Sequence, residues 1–277
     1  MILPHPQSSS RTRPLINQLA NAPPVVLGPS FLWDTSMWAP QIEALAARYR
    51  VIVPDLWGHG GSAALPPGTT TMRDLAQQHL TLLDRLNVGR CSIIGLSVGG
   101  MWGAELALMA PERVAGLVLM DTSLAVEPEQ TRDGYFAMLG TVGAHGAVPE
   151  PVLDAVVPLF FSPTVRTRHP QLPETFRQTL RDWPPQRLKD NVAPLGRIIF
   201  GRGDLLADVA SLSMPSLVMT GVDDLAQPVA RGQAIAERIG CPFVAIPDAG
   251  HISSLEAPDS VNQALLDFLA GQDRRLA

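Results

Sequence analysis

Six short apolar runs, at residues 25–28, 51–55, 91–95, 117–121, 216–221 and 243–247, limit most strongly what this chain can fold into. Each is rich in Val, Ile or Leu and lacks polar alternation, which is how strands covered on both faces read. Between them, apolar residues recur at helical spacing: Trp38, Ile42 and Leu45; Leu75, His79, Leu82 and Leu86; Met101, Leu106 and Met109. Thr71 stands three residues before Asp74, a variant of the capping box that marks where the second of these helices starts. A last helix is expected after Asp259, carrying Val261, Leu265, Phe268 and Leu269. Strand and helix therefore alternate, which predicts a mostly parallel, doubly wound α/β sheet.

One interval breaks the alternation. Residues 124–212 hold ten prolines and several helical patterns, but no convincing strand. Proline stops helices and removes ladder donors, so short helices joined by stiff turns are expected. The predicted organisation is a core domain, residues 1–123 and 213–277, with a helical cap inserted at 124–212. A chain of 277 residues is long enough for one large core with such an insertion.

Composition narrows the function. With 46% hydrophobic and 17% charged residues the chain reads as a packed soluble protein. The formal net charge is −5 and no Lys/Arg run marks a face for a phosphate backbone, so no nucleic-acid partner is expected. Cys91 and Cys241 are too few for a disulfide framework or a cysteine metal site, which points to a reducing compartment. No run of about 18 apolar residues is present, and residues 1–17 lack the apolar stretch of a leader. A cytoplasmic protein without a membrane span is expected. No H-E-x-x-H cluster implies a metal, and no G-x-G-x-x-G follows a strand, so no cofactor is expected. Oligomeric state is not legible.

The chemistry centres on Gly95-Leu96-Ser97-Val98-Gly99, which follows one apolar run and opens the next helix. A sharp strand-to-helix turn exposes a serine hydroxyl above the sheet and aims helix N-terminal amides at an oxyanion. The string alone is a weak signal; strand, turn and helix in the required order give it weight. A serine needs a base to take its proton and a third group to hold that base.

With those residues in place the chain resembles the α/β-hydrolase family over about residues 25–269. Family members place a nucleophile after the fifth strand, an acid after the seventh and a histidine after the eighth. Residues 221–228 read Gly-Val-Asp-Asp-Leu-Ala-Gln-Pro, similar to the family's G-x-x-D-x-x-x-P loop, which selects Asp224 as the acid, with Asp223 as the alternative. Residues 248–251, Asp-Ala-Gly-His, followed by Glu256 and Pro258, look like the histidine loop and select His251 as the base. Residues 55–62 resemble the D-x-x-G-H-G-x-S loop, in which the histidine, here His59, is structural.

The resemblance implies two oxyanion donors. One is the Val98 amide. The other comes from the loop after residues 25–27, where many relatives carry His-Gly but this chain reads Gly28-Pro29-Ser30-Phe31. Pro29 has no amide hydrogen, and alignment of Ser30-Phe31 and Met37-Trp38 with enol-lactonase-like relatives selects Phe31. The likeness is nearest to 3-oxoadipate enol-lactonases and related small carboxylesterases, through residues 30–38, 160–163 and 169–170. It implies hydrolysis of a small-molecule carboxylic ester or lactone through an acyl-enzyme; the serine at position 97 excludes the dehalogenase branch, which needs a carboxylate there. Carbon–carbon bond hydrolases, acyltransferases and perhydrolases share the same apparatus, and a ligand receptor that kept the fold is the alternative of another class.

Two further expectations concern the substrate. Trp33, Trp102, Phe136, Phe160, Phe161 and Trp183, with Phe31, either line a pocket or form the core under the cap. Enol-lactonase substrates are anionic, so Arg132, Arg166 or Arg168 is a partner for a carboxylate, unless these arginines are solvated on the cap surface.

Overall fold

The computed structural model describes residues 15–16 and 22–276; the expectation of no leader, and His5, fall largely outside the described residues. A seven-stranded sheet runs through the molecule: β1 (Leu15–Ile16), β2 (Pro24–Gly28), β3 (Arg50–Val53), β4 (Cys91–Leu96), β5 (Val114–Met120), β6 (Ser216–Gly221) and β7 (Phe243–Ile246). Their order in space is β1-β3-β2-β4-β5-β6-β7, with β2 to β7 all parallel and β1 antiparallel on the edge. The six apolar runs coincide with the six parallel strands.

Residues of the six parallel strands feed two cores, one on each face of the sheet. Ile93, Leu117 and Leu119 pack on one face with α2 (Met72–Arg85) and α3 (Val98–Met109), where Leu75, Leu83 and Leu106 are buried. Ile94, Val118 and Met120 face the other side, against α1 (Ala39–Leu45) and α12 (Pro258–Leu276), which bring Leu45, Val261, Leu265 and Leu269. Every residue of β4 is buried, as expected for a strand covered on both faces. Thr71 and Asp74 form the reciprocal capping box at the start of α2.

Between β5 and β6 lie helices only, among the described residues: α4 (Glu129–His145), α5 (Glu150–Phe160), α6 (Pro163–Arg168), α7 (Gln171–Arg181), α8 (Pro185–Arg187), a π turn at Leu188–Val192, α9 (Ala193–Phe200) and a short 3-10 turn, Asp208–Ser211. Proline opens several of them, but Pro158 lies inside α5, which continues to Phe160. After β6 come α10 (Val229–Ile239), β7, and a short α11 (Ser253–Glu256) ahead of α12. No helix among the described residues is long and apolar enough to cross a membrane.

Candidate active site

Ser97 stands between β4 and α3 with φ 57° and ψ −119°, a conformation that costs a non-glycine residue about 1–3 kcal/mol. The surroundings hold it there. Its amide donates to the Met120 carbonyl at 2.9 Å, and its own carbonyl accepts from the Thr122 hydroxyl at 2.7 Å and from the amides of Gly100 and Met101. Glycine is required on either side: a Cβ on Gly95 would lie 2.2 Å from the Gly99 carbonyl carbon, and one on Gly99 would lie 2.1 Å from the Gly28 oxygen. Backbone therefore touches backbone where β2, β4 and α3 meet, and the serine is lifted out of the turn.

The acid and histidine loops follow β6 and β7. Asp224 Oδ1 accepts the amides of Ala226 at 2.9 Å and Gln227 at 2.8 Å, which aims Oδ2 at His251 Nδ1, 2.9 Å away. Asp223 instead donates its amide to Ala249 and its side chain is not the one bonded to the ring. Because Nδ1 carries the proton shared with Asp224, Nε2 is the free acceptor of the neutral ring. Asp224 and His251 are both 3% exposed. Burial pulls the imidazole pKa down, but the Asp224 charge and hydrogen bond, with Asp121 and Glu256 behind them, hold it above its ordinary value of 6.5. Ser97 and His251 line the same cavity.

Of the two amides expected to bind an oxyanion, that of Phe31 belongs to a residue lining this cavity and that of Val98 to the residue next to Ser97. Leu32, at φ 71°, bends the loop after β2 and donates to His59 Nε2 at 3.3 Å, leaving Phe31 on the cavity wall. Val98 is the first residue of α3. Among the described residues neither the Phe31 nor the Val98 amide donates to a protein acceptor. His59 itself is wholly buried, its Nδ1 bonded to the Trp57 carbonyl at 2.9 Å, and burial pushes its pKa down to about 4.

The cavity, about 90 Å³, is walled mainly by apolar stripes of two helices, and of the aromatic residues considered from the sequence Phe31 and Phe160 line it. One stripe is Tyr135, Met138, Leu139 and Val142 of α4; another is Val152, Val156, Leu159 and Phe160 of α5. Phe160 sets its ring edge-on to His251 at 5.3 Å. Five other aromatics lie off the wall. Trp33 stacks on Phe176 at 4.7 Å, and Phe161 packs edge-on to both. Trp102 stacks on buried His79 at 3.8 Å, Phe136 carries the Arg197 guanidinium, and Trp183 meets His59 edge-on. These rings fill seams between elements, where a flat side chain finds another ring or a cation. Arg166 and Arg168 are exposed and Arg132 half-buried; all three are off the wall, Arg132 pairing with Glu129 and Asp133.

Asp121 was not singled out by its sequence. It ends β5, is fully buried, and accepts the Gly221 amide at 2.7 Å and the Ser253 hydroxyl, so one carboxylate ties the acid loop to the residue two beyond His251. Burial and the neighbouring Asp224 charge push its carboxyl well above the ordinary range. Nor was Ser162, whose amide donates to Glu256 at 2.8 Å and whose hydroxyl donates to the Asp248 carbonyl, strapping the end of α5 onto the histidine loop. Among the described residues no group of three or more His, Cys, Asp or Glu comes together as a metal site.

Comparison with known proteins agrees with this architecture. Residues 23–258 match the alpha/beta hydrolase fold family. A 3-oxoadipate enol-lactonase of Acinetobacter baylyi is 28% identical over 92% of this chain and 91% of its own length. Among solved structures, a thermophilic esterase from Thermogutta terrifontis superposes with a TM-score of 0.82 at 32% identity, covering 91% of this chain and 90% of that one. The enol-lactonase from Burkholderia xenovorans gives 0.82 at 31%, covering 93% and 96%. The chain belongs to the alpha/beta hydrolase fold family and is built as a hydrolase of that family.

Proposed function

We propose that this protein is a serine hydrolase that cleaves a small-molecule carboxylic ester or lactone through an acyl-enzyme, with Ser97 as nucleophile, His251 as general base and Asp224 as the acid that orients the ring. The observation that carries this reading is the Ser97 turn sharing a cavity with His251, while Asp224 holds the far side of the imidazole at 2.9 Å. The names of the esterase and enol-lactonase relatives support the substrate class.

In this mechanism His251 Nε2 takes the Ser97 hydroxyl proton as Oγ attacks the ester carbonyl. The oxygen that becomes negative accepts from the Phe31 and Val98 amides, each worth roughly 3–4 kcal/mol in the transition state. The carbonyl–oxygen bond to the leaving group then breaks, and the imidazolium returns its proton to the departing alkoxide, giving the alcohol. Water enters, His251 takes its proton, and the acyl–Oγ bond breaks to give the acid and free serine. Residues 1–123 and 213–277 serve as the catalytic core, and residues 124–212 as a cap that walls the substrate in. The apparatus uses side chains and amides alone, with no cofactor.

A fluorophosphonate should label the wild-type protein at Ser97 and leave Ser97→Ala unmodified. Hydrolysis of p-nitrophenyl acetate by Ser97→Ala at the wild-type rate would overturn the nucleophile assignment. Absence of labelling together with tight binding of a small ligand would favour a receptor built on this fold.

A further inference from the structure

Beyond the bond it cleaves, the cavity carries information about which acyl groups it admits. Its wall is apolar, and among the described residues the only titratable groups on it are Tyr135 and His251. Tyr135 lies face to face with Phe200 at 4.0 Å, and burial raises its hydroxyl pKa, so it stays neutral. His251 is already paired with Asp224.

None of the arginines on the surrounding elements lines the wall, and six of them are engaged with other partners. Arg231 donates to both Glu127 oxygens and to the side chain of Gln227, itself a wall residue. Arg202 is spent on Glu127 and the Ile199 carbonyl. Arg187 and Arg197 lie over the rings of Trp183 and Phe136, and Arg177 and Arg181 are held by Glu150 on the outside. A carboxylate carried into this space would give up its water and meet no cationic side chain on the described wall, where Ser30, Tyr135 and Gln227 are the only neutral polar side chains besides Ser97 and His251.

Size sets a second limit. A dry cavity of ~150 Å³ accepts a benzene molecule, so one of about 90 Å³ holds a group of roughly three to five heavy atoms before its walls must move. We infer that this cavity selects short, neutral, aliphatic acyl groups and excludes esters and lactones that carry a second, ionised carboxylate. The inference deepens the reading of Ser97 as an ester-cleaving nucleophile and rests on it. It separates this chain from an enzyme for the enol-lactone of a dicarboxylic oxo acid, since closing a lactone with one carboxylate leaves the other charged.

The test compares ethyl butyrate with monoethyl succinate, matched in chain length, in a pH-stat at pH 8. The wild-type kcat/KM for ethyl butyrate should exceed that for the half-ester by at least about 1,000-fold, the discrimination expected when a buried charge finds no partner. A ratio within about tenfold overturns the inference. A second measurement is independent of chemistry: Ser97→Ala, which cannot form the acyl-enzyme, should show a higher Tm with ethyl butyrate and no change with monoethyl succinate. If the wild type hydrolyses neither ester and resists the fluorophosphonate, the hydrolase reading has failed. The Tm comparison still decides the selectivity, and binding of both esters or of neither overturns it.

Discussion

The two sides of the cavity are built by different rules. On the sheet side, backbone meets backbone so closely that a Cβ on Gly95 or Gly99 would lie 2.2 or 2.1 Å from another backbone atom, and Asp224, His251, Asp121 and Ser97 are each fixed by named hydrogen bonds. On the cap side, the wall is aliphatic helix faces, and its polar bonds are with the rim: Ser162 with Glu256 and Asp248, and the Glu127 cluster at the root of the cap. The first kind of construction tolerates little change in residue type. The second tolerates substitution that conserves volume, because dispersion and burial are not directional. Reaction type and substrate range are therefore written in separate parts of the chain.

The contrast is tested most severely on the sheet side. Asp224→Asn should lower kcat for a short-chain ester by about 10⁴-fold, because the amide holds the imidazole in the wrong tautomer, while the denaturation midpoint moves little. Asp223→Asn, one residue away, should stay within about threefold of wild type, since its carboxylate makes no bond to the ring. Equal losses in the two variants, measured under saturating ester, would show that the acid was misassigned.

At the root of the cap, Glu127 is 1% exposed at its side chain and joins Arg202, which follows α9, to Arg231 of α10. Burial alone would raise its pKa, but the two guanidiniums hold the carboxyl below its ordinary value. Glu127→Ala leaves Arg202 buried with its charge unmatched, and urea unfolding should show a loss of about 3–5 kcal/mol. A loss under about 1 kcal/mol would mean that the cap is held on by its apolar contacts alone.

A smaller effect comes from pH. In the proposed mechanism His251 acts as a base only when neutral, and its pKa is raised above 6.5, so kcat/KM should fall about tenfold for each pH unit below that raised value and level off above it. An acid limb centred below 6.5 would indicate that burial, not the Asp224 charge, dominates the ring. Removing the charge in Asp224→Asn should shift the limb of the residual activity to lower pH.

The legibility of the two sides differs for the same reason. Ser97, Asp224 and His251 stand in local strings whose residue types are dictated by turn geometry, so spacing in the chain is nearly spacing in the molecule. Asp121 was hidden because its partners, Gly221 and Ser253, are 100 and 132 residues away, and the residue itself looks like the polar end of an apolar strand. For the aromatics the sequence left pocket and core open, and the structure puts Phe31 and Phe160 on the wall and Trp33, Trp102, Phe136, Phe161 and Trp183 in packing seams. The usable signal was the helical spacing of mostly aliphatic residues in α4 and α5, Tyr135, Met138, Leu139 and Val142, then Val152, Val156, Leu159 and Phe160. Such a stripe announces a buried face, but whether that face meets another helix or an open cavity depends on packing that no single segment encodes.

The least effect is expected where the sequence left a choice open. Arg132, Arg166 and Arg168 were either partners for an anionic substrate or solvated charges, and none of the three lines the cavity, Arg166 and Arg168 being exposed and Arg132 half-buried. Arg132 is paired with two exposed carboxylates, the kind of contact worth at most about 1 kcal/mol in water. Replacing all three with alanine should change stability by less than about 1 kcal/mol and the KM for ethyl butyrate by less than about twofold. It should also leave the ratio of ethyl butyrate to monoethyl succinate turnover where it was, because the discrimination comes from the absence of a cation inside the cavity and not from cations outside it. A fall in half-ester turnover on removing the arginines would show that the surface charges reach the substrate after all, and would move the specificity of this enzyme from its interior to its rim.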